Sequence, residues 1–200
     1  MADEVHNRSM TLLTVWPDTD ASQVLVRTED AEEITGELKQ LGVRFERWPV
    51  VPGLSAEPSS DEVLAAYREH VDRVNEAEGY TYVDALHMTP ADTPEWTAKA
   101  AEARQKFLAE HTHDDDEDRF FARGAGVFYL HVNSKVYGVL CEAGDLLSVP
   151  ANTTHWFDMG TRPDYVAIRF FHDDDGWVGN FTGNRLAEDF PAFDELAAGR

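Results

Sequence analysis

What the chain lacks narrows its function before any motif is read. It has a single cysteine, Cys141, among 200 residues, so an internal disulfide and a thiolate zinc site are both excluded. Basic residues are scarce. Lys and Arg number 17 against 38 Asp and Glu, for a formal net charge of −21. A charge of that sign repels nucleic-acid phosphates and anionic lipid surfaces, which argues against non-specific binding to either. No apolar run approaches the ~20 residues of a membrane-spanning helix. The opening Met1–Arg8 has neither the basic start nor the apolar stretch of an export signal, so a cytoplasmic location is expected. Neither a glycine-rich dinucleotide motif nor a P-loop occurs, so no organic cofactor is expected. What is present suits a packed core: hydrophobic residues make up 42% and aromatics 11%.

The apolar pattern divides the chain into two textures. Ser9–Trp16 and Gln23–Arg27 read as short strands, and Val43–Trp48 alternates as a half-buried strand does. Asp30 caps a predicted helix with Ile34, Leu38 and Leu41 on one face and Gly42 at its end. Ser59 and Glu62 form a capping-box pattern that opens one helix to about Glu78, with an apolar stripe of Val63, Tyr67, Val71 and Val74. Thr81–Met88 reads as a strand, and Thr93-Pro94 starts a helix to about Leu108. From Arg119 to Phe171 the texture changes to short β-type runs broken by glycine and proline, among them Arg119–Ala122 and Val127–Val132. That spacing predicts an all-β core, a barrel or sandwich, with N-terminal helices packed on it. The tail, Asn184–Ala198, is acidic and partly helical in pattern, interrupted by Pro191. No linker divides the chain, so a single domain over 1–200 is expected, with an elaboration at about 1–110, a barrel core at about 111–183 and a tail at about 184–200.

The chemistry concentrates in Glu110–Arg119. His111 and His113 are two apart, a spacing that puts both imidazoles on one face of a strand. Glu117 follows after an acidic turn. Two imidazoles and a carboxylate are borderline ligands suited to Fe(II), Ni(II), Mn(II) or Zn(II); a solvated polar loop is the plainer reading of the same residues. Gly124 stands downstream, and Gly144, Pro150 and His155 recur further on as turn, strand, turn and histidine. At this point the sequence resembles the cupin superfamily, whose first motif, H-x-H-x3-E-x6-G, is matched by His111, His113, Glu117 and Gly124. The second motif departs from the pattern at Asn152 and Met159, which replace a glycine and an asparagine, and Gln105 occupies the place of a glycine before the first histidine. Asparagine tolerates left-handed backbone, so the Asn152 change is mild. The resemblance implies a cupin (double-stranded β-helix, or jelly-roll) barrel and a four-ligand site of His111, His113, Glu117 and His155, which leaves two positions of an octahedron open.

The likeness is closer still to the acireductone dioxygenase family. It rests on Glu110–Phe121, Val139–Asp158, Ala167–Phe171 and the ending Gly176-Trp177 with Phe181-Thr182-Gly183, and spans about residues 30 to 190. It implies a monomeric, methionine-salvage enzyme that cleaves 1,2-dihydroxy-3-keto-5-methylthiopentene with O2. One Fe(II) per monomer would give 4-methylthio-2-oxobutanoate and formate; one Ni(II) would give 3-methylthiopropanoate, formate and carbon monoxide. Arg119 and Arg169 match arginines that act on the substrate anion, although a surface ion pair for Arg119 and a wall carboxylate for Arg169 are alternatives. Glu110 and Asp116 match positions linked to metal incorporation and conformational change. Each would accept a bond from a ligand imidazole or simply lie on an acidic surface. Phe107, Phe157 and Trp177 would line a pocket for the methylthio tail, or be core. Two other functions fit the motifs: a metal cupin acting on another enol, as dioxygenase or isomerase, and a non-enzymatic ligand-binding cupin.

Overall fold

The computed structural model describes residues 11–173 and 178–199. In chain order it carries β1 (Leu12–Pro17), β2 (Val26–Thr28), α1 (Ala31–Lys39), β3 (Arg44–Arg47), α2 (Ser60–Ala66), α3 (Arg68–Glu78), β4 (Tyr82–Met88), α4 (Pro94–Leu108), β5 (His111–Thr112), β6 (Glu117–Val132), β7 (Lys135–Glu142), β8 (Asp145–Val149), β9 (His155–Asp158), β10 (Tyr165–Phe171), β11 (Asn180–Phe181) and α5 (Phe193–Ala198), with a 3-10 turn at Leu186–Asp189. The caps follow from the sequence: the side chains of Asp30, Ser59 and Thr93 each accept from a first-turn amide of α1, α2 and α4.

Two antiparallel sheets share β6. Its first half lies between β8 and β10, which carry β3 and β4 at the edges. Its second half lies between β7 and β9, with β1 and β2 beyond β7 and β5 and β11 beyond β9. The two runs expected at Arg119–Ala122 and Val127–Val132 are therefore one bent strand. Gly124 turns the corner at φ +72, where a Cβ would lie 2.7 Å from the Tyr165 Cα, so only glycine fits. The bend also shifts the alternation. Phe121 before it and Phe128 and Leu130 after it enter the core between the sheets, with Leu13, Val139, Leu147 and Val149. Phe120 and Ala122 instead face α2 and α3, packing with Val63, Tyr67, Val71 and Val74. Val127 and Tyr129 face the C-terminal segment through Trp156, Phe190 and Leu196.

One helix was expected from Ser60 to Glu78, and two are found. At Tyr67 the backbone leaves helical geometry (φ −110, ψ 18). Its hydroxyl accepts the Val51 amide at 2.9 Å and its ring meets Phe120 edge-on at 4.8 Å. The predicted stripe nevertheless survives the break: Val63, Tyr67, Val71 and Val74 are all buried. No helix among the described residues is long and apolar enough to cross a membrane.

Candidate metal centre

Register brings the four expected ligands together. His111 in β5 stands directly opposite His155 in β9. Glu117 opens β6 opposite Val149 of β8, and His113 lies in the connection between β5 and β6. Each residue offers one ligand atom, all within 4.8 Å of one another, and all four side chains are buried. Glu117 Oε2 sits 2.8 Å from Nε2 of both His113 and His155.

The imidazoles are aimed by main-chain carbonyls. Nδ1 of His111 donates to the Ala109 carbonyl at 2.6 Å, that of His155 to the Thr153 carbonyl at 2.8 Å, and that of His113 to the Val178 carbonyl. A proton held on Nδ1 leaves Nε2 as the ligand nitrogen. Burial and the neighbouring His155 push His111 down to about 4, so it is neutral at pH 7. Burial opposes ionisation of Glu117, but Arg119 and the imidazoles outweigh it and hold the carboxyl well below its usual range. Burial likewise lowers the His113 pKa, and its bond to Glu117 outweighs this and raises it; a cation in the cluster competes with that proton. Three imidazoles and one carboxylate on a fixed frame fit a single borderline divalent ion.

Asn152 takes the left-handed conformation of the glycine it replaces (φ +62), and its amide donates to the His113 carbonyl at 2.8 Å. Asp116 holds the same turn, accepting the Ala151 amide at 2.8 Å. Glu110 is buried and accepts from His131 Nδ1 at 2.9 Å and from the Thr182 hydroxyl at 2.7 Å. Glu110 and Asp116 thus take partners other than the ligand imidazoles proposed for them, because the carbonyls already fill that place. Their contacts fix the segments that carry the ligands.

Arg119 is buried on the same side of β6 as Glu117, with Nη2 2.9 Å from Glu117 Oε1. Arg169 pairs with a wall carboxylate, Asp84, through Nε at 2.8 Å. Both arginines line a cavity of about 40 Å³ with Phe107, Phe128, Phe157 and Tyr165. Phe107 and Phe157 meet edge to face at 6.4 Å. Trp177 lies outside the described residues. On the other side of Glu117 and Arg119 a mouth of about 300 Å³ opens past Asp114, Asp115, Asp116 and His172. Asp84, His131 and His172 were missed from the sequence. His172 bonds Asp115, and its Nε2 lies 3.1 Å from the Glu78 carbonyl. These partners are far away along the chain: strand register sets Asp84 opposite Arg169, and the folding of segments outside the ladders brings Glu110 to His131 and Asp115 to His172.

Comparison with known proteins agrees with this geometry. A profile of the ARD/ARD' family matches residues 14–179. The chain belongs to the ARD/ARD' family. A relative named acireductone dioxygenase from Saccharopolyspora erythraea is 69% identical over 191 residues, covering 96% of this chain and 100% of the relative. Another of that name from Frankia alni is 53% identical over 188 residues, covering 94% and 91%. Among solved structures, an acireductone dioxygenase from Bacillus anthracis with a cadmium ion in its active center superposes with a TM-score of 0.73 at 27% identity, covering 86% of this chain and 98% of that one. The ARD/ARD' chain thus has the cupin barrel expected for it, mostly antiparallel sheet with helices in the minority.

Proposed function

We propose that this chain is a metal-dependent acireductone dioxygenase of methionine salvage, acting on 1,2-dihydroxy-3-keto-5-methylthiopentene and O2 in the cytoplasm as a monomer. The observation that carries the reading is the buried quartet of His111, His113, Glu117 and His155, its ligand atoms within 4.8 Å, in a chain 69% identical to a relative of that name. The quartet would hold one Fe(II) or Ni(II). When bound, that ion supplies Lewis-acid coordination for substrate oxygens at the positions the four ligands leave open.

The remaining work falls to the chain's own residues. Burial lowers the Arg119 pKa, but the ordinary guanidinium pKa lies so far above neutrality that the side chain keeps its charge. It and Arg169 offer N–H donors to an enediolate anion from the wall of a cavity lined largely by apolar side chains, where such donors act strongly. Phe107 and Phe157 exclude water and take up the methylthio tail, which needs only apolar contact. The products follow the metal: 4-methylthio-2-oxobutanoate and formate with Fe(II), 3-methylthiopropanoate, formate and carbon monoxide with Ni(II). The test is to strip the protein of metal, reload it separately with each ion, and follow O2 uptake and headspace carbon monoxide with synthetic acireductone. Uptake with both and carbon monoxide from the Ni(II) form alone are expected. No uptake with either would refute the activity, and one product set from both forms would refute the metal dependence.

A further inference from the structure

Three charged side chains stand in one row across a sheet. Asp84 of β4 faces Arg169 of β10, and Arg169 faces Arg119 of β6. Directly opposed residues share one face, and like charges so placed repel. Both guanidiniums also crowd the ring of Phe171, at 5.5 and 5.4 Å from its centroid. A carboxylate meets each guanidinium: Glu117, two residues along β6, has Oε1 2.9 Å from Arg119 Nη2, while Asp84 receives Nε of Arg169 at 2.8 Å on one oxygen and Nη2 on the other. A side-on bidentate pair fixes the plane of the guanidinium, and it leaves Nη1 as the terminal nitrogen that Asp84 does not hold. Arg169 lines the cavity beside the metal ligands, and Asp84 stands behind it, outside the lining.

We infer that Asp84 is a positioning residue that acts through Arg169, setting the direction from which the second guanidinium meets an anionic substrate. The inference rests on the proposed substrate-binding role of Arg169. Asp84 balances the charge of Arg169, so this guanidinium recognises an anion by placed N–H groups and not by surplus charge. Removing the Asp84 charge leaves a surplus that still attracts an anion but no longer aligns it. Binding should persist while turnover falls.

The test is a double-mutant cycle on the metal-loaded enzyme with Asp84→Asn, Arg169→Met and the combined variant. Steady-state kinetics would be accompanied by metal content, thermal melting and anaerobic calorimetric titration with the acireductone. Asp84→Asn is expected to lower kcat about tenfold, equivalent to about 1.4 kcal/mol, with the calorimetric affinity held within threefold. In the Arg169→Met background the same change should cost less than twofold, since the group it orients is gone. If the tenfold loss persists in that background, Asp84 acts independently of Arg169 and the inference is overturned. If Arg169→Met alone keeps wild-type kinetics, the reading of Arg169 fails first and takes the inference with it. Should Asp84→Asn fail to fold, Asp84→Glu takes its place in the cycle. It keeps the pair but moves the guanidinium by one methylene, so a kcat loss that vanishes with Arg169→Met supports the inference and one that persists overturns it.

Discussion

Replacing Gly126 with alanine tests whether the Phe157 ring sets the size of the substrate pocket. Gly126 is not among the residues of positive φ, so alanine brings no backbone strain. Its Cβ would, however, lie 2.5 Å from Phe157 Cε2, roughly 1 Å inside ordinary carbon–carbon contact. The ring must therefore swing away from β6. The free space beside it is the cavity it shares with Phe107 and Tyr165, which at about 40 Å³ has no volume to spare. Overpacking of this kind costs about 1–3 kcal/mol, which lowers Tm by about 2–12 °C in a chain of this size. Loss of the tail's apolar contact, at about 0.8 kcal/mol per methylene-sized group, removes roughly 2 kcal/mol for the methylthioethyl group, or about thirtyfold in kcat/KM. The assay compares kcat/KM for the natural acireductone and for an analogue with a methyl in place of the tail, in protein of verified metal content. The natural substrate should lose about thirtyfold and the short analogue little. An equal loss for both, with Tm lowered, would show that Phe157 is core and not pocket wall.

Three further outcomes follow from the site and its supports. His155→Ala removes the ligand that closes the quartet and should strip most of the metal, read by elemental analysis, while far-UV circular dichroism stays β-rich; a full equivalent of tightly held metal would disprove its role. Arg119→Ala removes a charge-assisted contact of roughly 1.5–3 kcal/mol and should keep its metal while kcat falls at least about tenfold; unchanged turnover would place Arg119 outside the reaction. Asp145 is buried, and burial pushes its carboxyl up to about 6, above the unfolded value. The folded state then holds the proton more tightly than the unfolded chain, so the group's contribution to stability grows as pH falls through 6 and is lost as pH rises past it. In urea melts, the stability difference between wild type and Asp145→Asn should move in the wild type's favour by about 1 kcal/mol between pH 7.5 and 5; no movement would mean that the carboxyl is not perturbed.

The ligands were legible in the sequence because their spacing is local: His111, His113 and Glu117 lie within seven residues of one another, and His155 follows the turn residues Gly144 and Pro150 at short range. The helix caps and the left-handed Asn152 were legible for the same reason, being decided within a few residues. The partners of Glu110, Asp116 and Arg169 were not. Which acceptor a buried group finds depends on strand register, and register joins Arg169 to Asp84 from 85 positions away. The tyrosine that divides α2 from α3 was hidden because its spacing suits an unbroken helix as well as a broken one. The bend in β6 hid behind its own glycines, which read as the end of one strand and the start of another.

The sharing of β6 between both sheets bears on how the protein is made as well as on how it works. This strand bonds to β7, β8, β9 and β10, all of which leave the ribosome after it. Its edges can be fully paired only when β10 has emerged, a few seconds later at ordinary synthesis rates of about 5–20 residues per second. Until then a 16-residue strand that is largely apolar waits with open edges, the condition under which chains pair with the wrong neighbour. Because contacts of such long sequence separation slow folding, β10 is the segment whose delay or truncation should send the nascent protein to aggregates, and a chain cut before Tyr165 should be insoluble even though it already contains all four metal ligands.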